Sequence, residues 1–427
     1  MQLVSQLLFA LITIVAVYLF SKKIKEIKRN IFLGRDEDFS DNKPLRWQNV
    51  LLLAFGQKKM FKNPLVAFMH FIIYAGFIII NIEVLEIIVD GLLGTHRLFE
   101  KPLGIFYTWL INAFEFLAVG VLTVCIIFFV RRNILKLKRF ASKDLNGWPR
   151  SDANYILLTE IFLMLLFLTM NATDTSENFF FSSFLKPLFK STDPYTILNI
   201  EYTCWWLHIV GIYAFLNYLP YSKHLHILLA FPNAYYARLQ PQAKMDNMPE
   251  IQKEVLYAMQ PELIPAEAAE QQAKKFGAKD IFDLSWKNLM DAYSCTECGR
   301  CTAACPANIT GKILSPRTIM MKTRDRAEDV GRNINTNKQF IDDGKTLLHD
   351  YISIEELRAC TTCNACVEAC PVSISPLDII GEMRRYLIME ESNAPQEWNG
   401  MFSNTENNFA PWKFSPDERD KWVNELA

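Results

Sequence analysis

Two short cysteine runs constrain this chain more than any other feature. Cys295-Thr-Glu-Cys298-Gly-Arg-Cys301-Thr-Ala-Ala-Cys305-Pro306 and Cys360-Thr-Thr-Cys363-Asn-Ala-Cys366-Val-Glu-Ala-Cys370-Pro371 both follow C-x2-C-x2-C-x3-C-P. Three cysteines at that spacing wrap one face of a [4Fe–4S] cube, and in two-cluster proteins the fourth cysteine of each run ligates the other cluster. One cluster is therefore expected on Cys295, Cys298, Cys301 and Cys370, and the other on Cys360, Cys363, Cys366 and Cys305. The 54 residues 306–359 must fold so that the two runs lie side by side. Zinc is the competing reading, but zinc sites draw four ligands from two pairs, not from two runs of four before proline. Cysteine clustering of this kind belongs to a reducing compartment rather than to disulfide cross-linking. The remaining cysteines, Cys125 and Cys204, lie in or beside apolar stretches and read as packing residues.

Upstream of the runs the chain is a membrane protein. Of the 427 residues 51% are hydrophobic, and the apolar ones concentrate in residues 1–230. Five spans are expected, near 1–20, 64–90, 104–130, 153–172 and 202–229, each long enough for roughly 30 Å of hydrocarbon. The first is followed, not preceded, by Lys22, Lys23, Lys25, Lys28 and Arg29, unlike a cleavable signal peptide. Lys and Arg crowd 21–63 and 131–150, while the alternate connections carry few. The positive-inside rule then puts the N-terminus outside and everything after 230 in the cytoplasm. A formal net charge of −1 gives no nucleic-acid signature.

Five of the six histidines fall in the membrane half. His70 is six residues into the second span, about 9 Å from its cytoplasmic start. His208 and His226 are 18 residues apart; on one helix they face the same way from opposite ends, a phase that a kink at Pro220 would loosen. His224 then faces roughly the other way. His70 and His226 share the cytoplasmic depth and suit axial ligation of one haem iron. The competing reading makes these histidines satisfied polar contacts between helices. Glu83, Glu86 and Asp90 share one face of the outer half of the second span, and Glu115 and Glu160 are further acids inside apolar spans. Glu83 and Glu86 are candidate quinol-site acids, because a carboxylate at that depth needs a cavity or a partner.

The stretch His208 to His226, with Pro220-Tyr221-Ser222-Lys223 between, resembles the last span of the nitrate reductase gamma family, which also supplies the membrane cytochrome of heterodisulfide reductases. That resemblance implies two b haems on four histidines of the second and fifth spans. His70, His208 and His226 match three of those positions, and the fourth is Ile80. Either His96 replaces it, or the outer haem is five-coordinate, or there is one b-type haem only. Ser294 to Arg317 and Ile352 to Arg385 resemble the helical two-cluster ferredoxin domain of heterodisulfide reductases and of the iron–sulfur component of glycerol-3-phosphate dehydrogenase.

The expected fold is all-α. Residues 1–230 form a five-helix membrane cytochrome b bundle and 231–290 a helical connector with amphipathic stretches at 249–260 and 265–276. Residues 291–391 form the dicluster ferredoxin domain, with a helix over 316–330, and 392–427 an aromatic tail that docks a partner. Catalytic subunits of heterodisulfide reductases have a paired Cys-Cys-Gly motif; no adjacent Cys-Cys occurs here, nor a dinucleotide fingerprint or phosphate loop. The expected function is that of a respiratory electron-transfer subunit in a bacterial or archaeal cytoplasmic membrane. It relays electrons between a quinone such as menaquinone, the haem, the two clusters and a soluble or peripheral redox subunit with a Cys-Cys-Gly-type site. The alternative is a non-catalytic membrane anchor whose clusters are structural.

Overall fold

The computed structural model describes residues 2–174, 179–241, 244, 247–264, 275–418 and 420–426. They contain no strand, only isolated bridges such as Arg35 with Ser285. The described residues are all-helical in their regular structure, as expected.

Four described helices are long and apolar enough to cross a membrane: α1 (Gln2–Ile31), α2 (Pro64–Leu93), α3 (Ile105–Asn133) and α4 (Trp148–Thr173). Asn63 caps α2 by accepting from the Val66 amide, Pro64 takes the first turn, and Gly94, at φ 70°, ends it in the left-handed region. A fifth helix, α5 (Pro194–Tyr218), is 25 residues long and packs along α4. It carries Asn199, Glu201 and His208 and is not among the four that qualify by length and composition. Contact between α4 and α5 is close enough that a Cβ on Gly211 would lie 2.7 Å from Leu163 Cδ2. Ile80, Phe114, Ala118, Val121, Leu163 and Phe167 fill the bundle interior, together with Cys125 and Cys204. Leucines and phenylalanines such as Leu7, Leu85 and Phe116 point outward, as a lipid-facing surface requires.

The expected span over 202–229 is interrupted at Pro220, where a kink is expected, and the interruption is a full break. After Tyr218 come two 3-10 turns, Leu219–Tyr221 and Lys223–Leu225, and then α6 (His226–Tyr235). Pro220 brings no amide hydrogen to continue the helix. Buried Asp152, on α4, accepts from Tyr218 Oη at 2.5 Å, Ser222 Oγ at 2.6 Å and the Lys223 amide at 3.2 Å. These bonds hold the turn open, so the five-turn phase linking His208 to His226 does not apply.

Nor does α1 stop at the membrane. Its C-terminal Ile27 and Ile31 enter the core of the soluble half with Leu284, Leu289, Ile319, Val330 and Met383. Asn30 donates to Tyr293 Oη at 3.0 Å, and Lys23 to Glu328 at 3.2 Å. Part of the basic stretch after the first span is thus a helical strut. The soluble half stacks α7 (Trp286–Ser294), α8 (Arg300–Ala304), α9 (Pro316–Asn337), α10 (Ala365–Ala369) and α11 (Pro376–Met389). The long connection between the cysteine runs is pinned by fully buried Arg326, which binds Asp280 at 2.7 Å and Asp343 at 2.6 Å. The expected 249–260 stretch is the helix Pro249–Met259. The one expected at 265–276 falls mostly on 265–274, outside the described residues.

Candidate electron-transfer centres

The two cysteine runs adopt one loop conformation twice. In the first, Glu297 (φ 53°) and Gly299 (φ 72°) are left-handed; in the second, the equivalent Thr362 (φ 54°) and Asn364 (φ 60°) are. Left-handed backbone at non-glycine positions costs about 1–3 kcal/mol each and persists only where the surroundings impose it. The turns curl each run so that its thiols face inward, and α8 and α10 carry the third cysteine of each. Gly299 is required by space as well, since a Cβ there would meet Arg317 Nη1 at 2.6 Å.

The eight thiols of the two runs gather in one neighbourhood. Cys370 lies beside Cys298 and within reach of Cys295 and Cys301, and these four line one cavity together with Cys366. Cys305 lies beside Cys360 and Cys366, with Cys363 adjoining. Burial pushes Cys295 and Cys366 up to about 12, helped by the Glu297 carboxylate and then neighbouring thiolates at Cys295, and by neighbouring thiolates at Cys366. Cys370 rises to about 11 through burial and then the neighbouring Cys298 thiolate. Thiols gathered this closely, several of them buried, suit a positively charged iron centre, so the residues fit two clusters.

Arg317 backs the first cavity and ties it to the membrane half. Its guanidinium binds Asp144 at 2.5 and 3.1 Å, Ser142 Oγ at 2.5 Å and the Arg139 carbonyl at 3.1 Å, all in the connection between α3 and α4. Burial pushes the Asp144 carboxyl up, but bonds from Arg317 and Ser142 outweigh it and hold it down to about 2. Arg384 supports the second run by donating to the Cys360 and Leu357 carbonyls, both at 2.6 Å.

On the membrane side His70, His224 and His226 form one group within electrostatic reach of one another. His70 Nδ1 faces Gln57 Oε1 at 2.9 Å, and His226 Nδ1 faces the Lys223 carbonyl at 3.0 Å. An acceptor behind each Nδ1 keeps the proton there and leaves each Nε2 its lone pair, the tautomer a metal-bound histidine needs. The expectation that His224 points away is not met. Its ring lies 5.5 Å from that of His226 and 5.5 Å from Phe215, because the turn at 219–225 replaces helix. Gln57, Lys223 and Asp152 were invisible as site residues in sequence, since each acts through a fold-dependent contact.

The other end of the bundle is different. His208 is buried, its Nδ1 has no partner, and its ring packs on Phe167. Ile80 packs into the same apolar cluster, and His96 lies elsewhere, grouped with Asp174 and Glu201. Among the described residues no ligand is seen opposite His208. A cavity of about 270 Å³ opens near that end, lined by Glu83, Glu86, Asp90, His96, Trp205 and Trp206 among others. Its acids are not alike. Glu86 accepts from the Phe99 amide and Tyr107 Oη, both at 2.9 Å, and Asp90 from Thr95 Oγ1 at 2.5 Å and the Arg97 amide at 2.8 Å. Glu115 caps the Phe181 and Ser182 amides at 2.7 and 2.9 Å. Glu83 alone of these four keeps a buried carboxylate oxygen, Oε2, without a partner.

Comparison with known proteins bears on the soluble half first. Residues 294–374 match the 4Fe-4S dicluster domain. Over 98% of its length the chain is 27% identical to a Bacillus subtilis protein named "Probable iron-sulfur-binding oxidoreductase FadF". Over 88% it is 26% identical to the "EtfAB:quinone oxidoreductase" of Syntrophomonas wolfei. The chain spans 61% and 53% of the length of these two relatives. Over 28% of the chain it is 33% identical to one component of the ferredoxin/F420H2-dependent CoB-CoM heterodisulfide reductase of Methanosarcina acetivorans, covering 60% of that protein. No solved structure matches. The chain is thus similar to iron–sulfur oxidoreductases of the electron-transfer type and has a dicluster domain behind apolar membrane-length helices.

Proposed function

We propose that this chain is a quinone-linked electron-transfer subunit of a cytoplasmic-membrane complex, with α5 as a fifth span, the N-terminus outside and the clusters in the cytoplasm. One haem b is held by Nε2 of His70 and His226. One [4Fe–4S] cluster is held by Cys295, Cys298, Cys301 and Cys370, the other by Cys360, Cys363, Cys366 and Cys305. The observation that supports this reading is that the first cysteine run meets the histidine group: Arg300, between Cys298 and Cys301, lies within electrostatic reach of His70, and Lys223, three residues before His226, donates to Glu297 at 2.6 Å. When bound, these groups supply one-electron carriers.

The protein's own residues do the rest. Gln57 and Lys223 fix the imidazole tautomers, Arg317 and Arg384 hold the cysteine loops, and the apolar bundle excludes water between the sites. Glu83 accepts a proton when quinol is oxidised in the outer cavity and returns it in the reverse reaction. Substrate chemistry lies outside these residues, on a redox partner, because no adjacent cysteine pair is present. The name of the Syntrophomonas relative supports the quinone reading. The tail supports docking: Trp398, Phe402, Trp412 and Phe414 are exposed in and after the helix α12 (Gln396–Asn408), and exposed aromatic anchors typify interfaces.

Purified full-length protein tests the reading. A pyridine haemochrome assay should give one haem b per chain, EPR should show two reducible clusters, and a quinol should reduce the haem. Protein with clusters but no haem, and no response to quinol, would be an anchor.

A further inference from the structure

The two cysteine sets are unequally placed between the membrane and the solvent. Three elements of the membrane half close on the first set. Arg300, between Cys298 and Cys301, lies within electrostatic reach of His70. Lys223, three residues before His226, donates to Glu297 Oε2 at 2.6 Å. Lys59, two residues after Gln57, faces the Cys370 thiol and lies 3.5 Å from Ser373 Oγ. Arg139 adds a fourth approach, beside Cys298.

The second set is more open: the membrane-half contact on its run, between Lys62 and Glu368, is an exposed one. Thr361, Thr362 and Cys363 form a continuous exposed edge, and Cys363 alone of the ten cysteines is exposed. Cys360 is backed by Arg384, from the soluble half. The tail starts beside this edge: Arg358, two residues before Cys360, donates to the carbonyl and to Oδ1 of Asn393 at 3.0 and 2.9 Å.

We propose a fixed order of electron transfer, resting on the haem and cluster assignment above. The cluster on Cys295, Cys298, Cys301 and Cys370 is the membrane-side centre, which exchanges electrons with the His70–His226 haem. The cluster on Cys360, Cys363, Cys366 and Cys305 is the outward centre, which meets a protein carrying its own one-electron centre across Thr361–Cys363. Tunnelling rates fall steeply with distance, so the centre beside His70 takes the first transfer and the exposed one the last. One electron moves in each step, the donor centre being oxidised as the acceptor is reduced, and no bond or proton changes hands. Positive charge on Arg300 and Lys59 favours the reduced form of the first centre over what burial alone would give.

The test uses reduced full-length protein and a soluble gadolinium chelate, which speeds the EPR relaxation of clusters near the surface. The signal that responds should be the one altered by Cys363→Ser, and the signal altered by Cys298→Ser should respond weakly. Should Cys363→Ser fail to assemble, Thr362→Asp keeps every thiol and should lower the potential of the same outward cluster. Arg300→Gln should lower the midpoint potentials of the haem and the first cluster together and leave the second unchanged. A chelate effect on the Cys298-marked signal, or equal effects on both, overturns the order while leaving the cofactor reading standing. Wild-type protein lacking haem or either cluster overturns both.

Discussion

Lys223 Nζ lies 2.6 Å from Glu297 Oε2, joining the turn that presents His226 to the loop that presents Cys298. Glu297 is buried and Lys223 partly so, and Glu297 also binds Arg324 at 2.9 Å. Burial pushes the Glu297 carboxyl up, but Lys223 and Arg324 outweigh it and hold the group below the ordinary value of 4.5. A depressed carboxyl contributes stability that is complete above its unfolded pKa and is lost as pH falls through the folded one. Acid below about pH 4.5 should therefore loosen the soluble half from the membrane half. Lys223→Ala should do so at neutral pH, costing about 1.5–3 kcal/mol since Arg324 remains. Limited proteolysis at the boundary reads both effects, and equal resistance of variant and wild type would show that the pair holds nothing.

His70→Ala and His226→Ala should each abolish the low-spin b-haem alpha band while the cluster signals persist. His224→Ala should keep the band with a small shift, because its ring packs beside the His226 ring without an acceptor seen behind Nδ1. If His224→Ala loses the band and His226→Ala keeps it, the axial ligand is two residues earlier than assigned.

Cys305→Ala should alter the cluster held mainly by the second run, and Cys370→Ala the one held by the first, each with a [3Fe–4S] EPR signal as one ligand is lost. Perturbation of the cluster of the mutated cysteine's own run would reverse both ligand sets.

Glu83→Gln should slow reduction of the haem by quinol on the order of 10²-fold, the usual scale for loss of a positioned proton acceptor, with reduction by dithionite unchanged. Glu86→Gln should instead lower thermal stability by about 1–3 kcal/mol, since it weakens the bonds to the Phe99 amide and Tyr107. Stopped-flow haem spectra and melting curves separate the two. A reversed pattern would move the proton acceptor to Glu86.

Deletion of 406–427, which removes Trp412, Phe414 and Trp422, should release the redox partner during purification with haem and cluster content normal. Clusters lost along with the partner would make the tail part of this chain's own fold.

The cysteine runs, the apolar helices and the class of cofactor were legible in the sequence because each is a local property. Spacing alone brings three thiols to one cube face, and lipid demands a continuous apolar stretch whatever surrounds it. Contacts between distant segments decided the rest. Glu83, Glu86 and Asp90 share one helix face in sequence, yet Glu86 and Asp90 cap amides from 97–99 and Glu83 does not. The fifth helix breaks where Asp152, some 70 residues upstream, captures Ser222 and the Lys223 amide, and that break moves His224 to the His226 side. Helical periodicity assumes that no outside group competes for the backbone. A buried carboxylate from another helix can satisfy a turn as well as the helix would, and only the tertiary structure says where one sits.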